Sequence, residues 1–227
     1  MSNLSSAFSK SVPSSTQLHV APDPNIVTVI QRFEVPPNQQ SDFIKQASAK
    51  VSQDFKEKPE FIAAVLLKGS DIGQMASYAQ WRKTADSPAP ATVPTAWSLA
   101  SALQEFTLLD SRTYAVEFIY PASASTLLSP EKTPLAHFGL FALPRENQDR
   151  LLELARENGP RAVEMTSGLL SVNFHRSIDG LQVINLGTWD SFESRKELVQ
   201  RSGFSSSNQY WADLSDFQAQ FFDLVFV

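Results

Sequence analysis

The chain contains no cysteine and only three histidines, His19, His137 and His175. The missing thiols exclude disulfides, thiolate nucleophiles, iron–sulfur clusters and cysteine-rich zinc sites. A three-histidine metal site would need every imidazole, and His19 falls in a tail-like segment, so no metal site is expected. Glycine is scarce, with eight in 227 residues, and no glycine-rich phosphate loop occurs. Neither a Gly-x-Ser-x-Gly elbow nor a His-x-x-x-His zinc spacing is present. Basic residues are outnumbered 19 to 24, giving a net charge of −5. That balance argues against nucleic acid and anionic membrane as partners, since both need clustered Lys and Arg. No apolar run reaches the ~18 residues of a membrane-spanning helix. Residues 1–25 are rich in Ser and Pro and lack the apolar core of a secretory signal. They read as a flexible arm on a cytoplasmic protein. A second reading docks the arm across a partner subunit through Leu18, Val20 and the Pro22–Pro24 pair.

What the chain does have is bulky apolar matter. Hydrophobic residues make up 42%, and 16 residues are Phe, enough for a substantial core. It also has an internal repeat. Shifted by 108 positions, Phe33 falls on Phe141, Pro36 on Pro144, Asp71 on Asp179 and Trp81 on Trp189. The hydrophobic pattern follows the same offset. Ile26–Val35 and Pro134–Leu143 are strand-like runs, as are Phe61–Lys68 and Leu169–Arg176. Gln74–Trp81 and Gln182–Trp189 both end on Trp, and Tyr114–Ile119 and Phe222–Val227 close the two halves.

Each half reads as strand, helix, strand, strand, helix, strand. Phe43, Ala47, Val51 and Phe55 form one helical stripe, ended by Pro59. Leu151, Leu152, Leu154 and Ala155 do the same in the second half, where Gly159-Pro160 is expected to kink or break the helix. Hairpins are expected at Gly69–Gly73 and at Asp179-Gly180. The proline-rich stretch from Trp81 to Pro94 reads as a loop. Trp97–Phe106 and Ser191–Ser202 read as the second helices. The order βαββαβ is the ferredoxin-like arrangement. The expected fold is therefore α+β, with an arm at 1–25, a first unit at 26–120, a linker at 121–133 and a second unit at 134–227. One unit alone would leave an apolar sheet face wet, so the two are expected to pack sheet to sheet. The oligomeric state this allows is a monomeric pseudo-dimer or a homodimer.

At Ile26–Phe33, Pro59–Phe61 and Trp81 the chain resembles the antibiotic biosynthesis monooxygenase domain, a dimeric α/β barrel. Ser167-Gly168-Leu169 and Thr188-Trp189-Asp190-Ser191 resemble the same places in a second copy. The resemblance implies a small aromatic substrate, a polyketide-like phenol or anthrone, oxygenated by O2 with no metal, flavin or haem. The substrate would be its own activator: it loses a proton, and the electron-rich anion reacts with O2. The protein would position the anion, stabilise its charge and exclude water. A haem-degrading branch of the superfamily also resembles the chain but carries a His ligand about ten residues past the Trp. Here those positions hold Ala91 and Val199. Two further readings are a polyketide cyclase or isomerase on the same barrel, and a binding protein without turnover.

Strand alternation compares the halves residue by residue. The second half has His137, Asn173, His175 and Asn185 where the first has Val29, Val65, Leu67 and Ser77. It is therefore expected to hold the polar pocket, with His137, His175 and Asn185 as catalytic candidates. A histidine with an ordinary pKa of ~6.5 suits a general base near neutral pH. Asn173, Trp189, Tyr210, Trp211, Gln31 and Trp81 are substrate-binding candidates, the Trp rings as apolar walls for a flat ligand.

Overall fold

The computed structural model describes residues 17–69, 73–83, 90–121, 125–133, 135–194 and 209–227. Its elements run β1 (Leu18–Val20), β2 (Ile26–Glu34), α1 (Gln40–Lys50), β3 (Phe61–Gly69), β4 (Gln74–Arg82) and β5 (Thr107–Tyr120). They continue as β6 (Thr126–Leu128), β7 (Leu135–Ala142), α2 (Gln148–Met165), β8 (Leu169–Ser177), β9 (Gln182–Trp189) and β10 (Asp216–Phe226). Eight antiparallel strands close into a barrel in the order β10-β3-β4-β2-β5-β8-β9-β7. The first ferredoxin-like unit supplies β3-β4-β2-β5 and the second β8-β9-β7-β10. Two seams join them, β5 to β8 and β10 to β3.

The pairing registers repeat at the sequence offset. Val29 faces Ala79 in the first unit, and His137 faces Gly187 in the second. Tyr114 faces Ser177 at one seam, and Phe222 faces Gly69 at the other. Asp179-Gly180 forms the expected turn, and Gly180 takes a φ of 78° that a side chain would strain. Residues 70–72, the tip of the other hairpin, lie outside the described residues.

Closing the barrel leaves three apolar regions. The inner faces of both sheets meet in a barrel core containing Ile30, Val65, Tyr78, Tyr114, Phe138, Ile184 and Phe222. A second cluster lies under α1, where Phe43, Ala47, Val51 and Phe55 are all fully buried. A third lies under α2, built on Leu151, Leu152, Ala155, Val172 and Phe174. The barrel strands are thus covered on both faces, which explains the near-continuous hydrophobic runs.

Three expectations are corrected. Trp97–Phe106 is not a helix: a single 3-10 turn at Thr95–Trp97 is followed by i to i−3 turns at Ala102, Leu103 and Phe106. The turn stops at Ser98, whose backbone is extended (φ −104°, ψ 135°), and Gln31 Oε1 accepts the next N–H, that of Leu99, at 2.7 Å. The helix α2 is not broken at Gly159-Pro160 but runs on to Met165. Gly159 is buried and a Cβ there would lie 3.4 Å from Val172, so the helix rests directly on the sheet at that turn. Finally, the arm is ordered at its end. Leu18–Val20 pair with Thr126–Leu128, and Leu18, Val20 and Leu128 join the barrel core. Of the Ser191–Ser202 helix, 192–194 are helical, and 195–202 lie outside the described residues, as do 84–89 of the proline-rich loop. No helix among the described residues is long and apolar enough to cross a membrane.

Candidate active site

A cavity of about 780 Å³ lies in the second unit, between the outer face of the sheet and α2. Its floor is β7, β9 and β10, through His137, Gly139, Phe141, Asn185, Trp189, Phe217 and Phe221. Val172 and Phe174 of β8 add apolar wall, and Tyr210 and Trp211 close one side. Arg161, Met165 and Thr166 at the end of α2 edge it. Arg161 is exposed and Met165 is 61% exposed, so this edge meets solvent.

His137 sits on β7 directly above Gly187 of β9. A Cβ at 187 would lie 1.9 Å from the imidazole Cε1, so no other residue leaves the ring its seat. Trp189 Nε1 donates to His137 Nδ1 at 2.8 Å. An indole N–H can only donate, so Nδ1 accepts and the neutral ring carries its proton on Nε2. Burial lowers the imidazole pKa to about 4. Nε2 has no partner among the described residues, and His137 lines the cavity. Asn185 is oriented as firmly. Its Oδ1 accepts the backbone N–H of Asn173 at 3.0 Å, which turns Nδ2 away as a donor. Trp211 Nε1 is a buried donor with no partner among the described residues. Burial pushes the Tyr210 hydroxyl well above its ordinary pKa, so it stays protonated.

Asn173 and His175 lie on the other side of the sheet. Both are fully buried inside the barrel. The His175 Nδ1–H donates to the Asn173 carbonyl at 2.9 Å, and Tyr78 of the first unit donates its hydroxyl to Nε2 at 2.9 Å. Asn173 Nδ2 donates to Ser171 and to the Leu186 carbonyl. Burial lowers the His175 pKa to about 4 as well. These two residues thus tie the halves together inside the barrel, while His137, Asn185, Trp189, Tyr210 and Trp211 surround the cavity.

Gln31 and Trp81 occupy the equivalent region of the first unit, and that region is filled. Trp97 stacks on Trp81 with ring centroids 5.1 Å apart and planes 10° apart. Gln31 Nε2 donates to Ser98 and Ser111 at 2.8 and 3.0 Å, pinning the Trp97 segment to the sheet. Leu99, Leu103 and Phe106 complete the plug. In the second unit Gly139 stands at the Gln31 position, and its missing side chain is part of the open space.

Arg161, Met165, Phe217, Phe221 and Gly187 were not singled out by the sequence. Gly139 on β7 and Gly187 on β9 carry the available signal, since Gly in the middle of a strand marks a close approach. The α2 residues were hidden by reading Pro160 as a helix breaker. Val199, the second of the positions compared with the haem-degrading branch, lies outside the described residues. Among the described residues no group of three His, Asp or Glu could hold a metal ion.

No family model matches the sequence, and no curated protein matches it. Solved structures do. An anthrone oxidase-like protein is 14% identical with a TM-score of 0.72, over 92% of this chain and 94% of that one. A ferredoxin-fold protein of Listeria monocytogenes related to antibiotic biosynthesis monooxygenases is 10% identical with a TM-score of 0.50, over 89% and 96%. The chain therefore has the fold of the anthrone oxidase-like and antibiotic biosynthesis monooxygenase-related proteins, a dimeric α/β barrel, with both ferredoxin-like halves on one polypeptide.

Proposed function

We propose that the second unit is a cofactor-independent oxygenase acting on a small aromatic, a polyketide-like phenol or anthrone. The observation that carries this reading is the composition of the cavity. Aromatic and aliphatic side chains make up much of the wall, and His137, Asn185 and Trp211 present N–H donors to it beside the Tyr210 hydroxyl and the polar Asn158, Thr166 and Gln209. An aromatic oxyanion fits such a wall, and fixed donors at its oxygen lower the energy of the charge without reorganising. For an anthrone-type substrate the balance is simple. The ring methylene loses a proton, the carbanion adds O2, and the peroxide collapses. One oxygen becomes the new carbonyl, and the other leaves as water with the two methylene hydrogens.

In this reading His137 and Asn185 are the catalytic groups, Tyr210 and Trp211 bound the substrate, and Trp189 holds His137. Asn173 and His175 act as framework. The two halves are a tandem repeat in which the first has become packing. One chain supplies both halves, so a monomer closes the barrel. The test is oxygen uptake with anthrone- and naphthol-type substrates by protein treated with chelator. Uptake of one O2 per substrate is expected. Stoichiometric haem, flavin or iron in the purified protein, or product formed equally well under nitrogen, overturns the reading. The latter result would favour a cyclase or isomerase.

A further inference from the structure

Among the described residues, the hydrogen bonds at the cavity wall leave it without a base. His137 could take a proton only at Nδ1, and that lone pair is spent on the Trp189 indole. Protonating it would set two N–H groups head to head. Asn185 has its one acceptor spent on the Asn173 backbone, so only its NH2 remains. Trp211 offers an N–H and nothing else. Among the residues lining the cavity the titratable or charged side chains are His137, Tyr210 and Arg161. They come from β7, the 209–211 segment and α2, and β8, β9 and β10 contribute none to the lining. The described wall contains no carboxylate and no lysine. It holds donors for an oxyanion, with a guanidinium at the edge, and no group there accepts a proton near neutral pH.

Taking the cavity as the substrate site proposed above, we infer that it selects the ligand already ionised. The aromatic oxyanion is taken from solution, and its oxygen accepts hydrogen bonds from His137 Nε2–H and Asn185 Nδ2–H. The proton is lost to water before binding, so acidity is a property the ligand must bring. The ligand class is an aromatic alcohol acidic enough to be partly ionised at working pH. Non-ionisable isosteres bind more weakly because they offer a poorer acceptor, hydrogen bonds to charged groups being about twice as strong as neutral ones. Trp189 is a positioning residue: it touches no ligand atom in this scheme but fixes which nitrogen of His137 carries the proton.

The experiment is equilibrium binding to the full chain under nitrogen, read by quenching of tryptophan fluorescence, from pH 5.5 upward. The probes are 1-naphthol, the more acidic 4-nitro-1-naphthol, and 1-methoxynaphthalene. Each naphthol is expected to bind tenfold tighter per pH unit until its own ionisation is complete, and then to level off. The break should move with the naphthol. The methoxy compound should bind more weakly and without pH dependence. A break at one pH for both naphthols would reveal a protein base and overturn the inference. So would methoxynaphthalene binding as tightly as the naphtholates, or no binding of any probe. His137→Phe should lose the preference for the naphtholate over the methoxy compound, and His137→Gln, which restores an N–H, should recover part of it. Retained methoxynaphthalene affinity shows that each variant is folded. If H137F has no measurable affinity for any probe, Trp189→Phe serves instead: it frees Nδ1, and a protein-dependent break should appear. Oxygen plays no part in these measurements. Ligand-tracking breaks without oxygen uptake would therefore sink the oxygenase reading alone, and oxygen uptake with a common break would sink this inference alone.

Discussion

The two units share a backbone plan and differ in what stands on it. In the first, Trp81 Nε1 is buried with no partner among the described residues, and an apolar Val29 stands at the position of His137. The Trp81 face is covered instead by Trp97. In the second, the corresponding indole is satisfied by His137, and open space lies beside the pair. A cavity in such a barrel is thus not the default of the fold. It is what remains when a strand position becomes glycine and, among the described residues, no tryptophan stacks on the strand-end indole as Trp97 stacks on Trp81. The first unit uses apolar packing to hold its half together; the second gives up part of that packing for an open cavity.

That contrast is most open to attack at Trp97. Trp97→Ala should cost about 3–5 kcal/mol, the usual range for deleting a large buried aromatic. Urea denaturation would measure it. The same variant should open a second cavity, so naphthol binding should rise from one site per chain to two. Stoichiometry fixed at one would mean that Trp97 is not what closes the first unit. The reverse exchange is Gly139→Gln, which places the first unit's residue in the second. A Cβ there would lie 3.2 Å from Phe217, so that ring must shift. Overpacking should cost about 1–3 kcal/mol. Ligand binding should disappear, which titration calorimetry would read.

His137→Val copies the first unit more subtly. It orphans Trp189 Nε1 as Trp81 Nε1 is orphaned, and should cost about 1–3 kcal/mol near neutral pH. The pH dependence has a definite sign. A folded-state pKa of about 4 against an unfolded value of ~6.5 means that the unfolded chain binds the proton first. The stabilisation is complete above about pH 6.5, is lost as pH falls, and is gone below about pH 4. His175, lowered in the same way, follows the same course. Wild-type stability should therefore fall by up to about 1.4 kcal/mol per pH unit for each imidazole across that window. H137V should remove one of the two contributions, so the gap between variant and wild type should narrow on acidification. A gap that is constant with pH would show that His137 is not held neutral.

The part of the plan that the sequence made legible is the part carried by both halves. The Trp81–Trp189 coincidence and the matching apolar runs located eight strands, and the pairing registers keep the same offset. Sidedness was harder. On β8, Val172 and Phe174 turn toward α2 while Asn173 and His175 turn into the barrel. The usual rule sends polar residues outward, but both faces here are covered, so hydrophobicity carries no information about which is which. A bulge between Leu169 and Ser171 further shifts the phase of the strand. The site was therefore legible as a difference between halves, and not as a set of side chains meeting in one place. Trp97–Phe106 failed as a helix for a similar reason. Its hydrophobic spacing is compatible with a helix, and Gln31, which ties Ser98 and Leu99 down to the sheet, lies far away in sequence.

The seams should matter least at their surface charges. Glu117 on β5 accepts from Arg176 on β8 at 2.8 Å and from Arg156 on α2 at 3.2 Å, bridging the two units. Arg156 also lies over the Phe118 ring, 4.7 Å from its centroid. The ion pairs look like a clasp, yet all three side chains are partly exposed, at 28–57%. Exposed pairs contribute about 0–1 kcal/mol, and less in high salt. The β5–β8 ladder and the shared barrel core hold the same seam without them. Glu117→Gln should accordingly change stability by less than about 1 kcal/mol, with the difference shrinking further in 1 M salt. A larger loss, insensitive to salt, would mean that the halves are joined by these charges rather than by the closed sheet. In that case the two units would be partners held at their edges, and exchanging residues between them would no longer report on one common barrel.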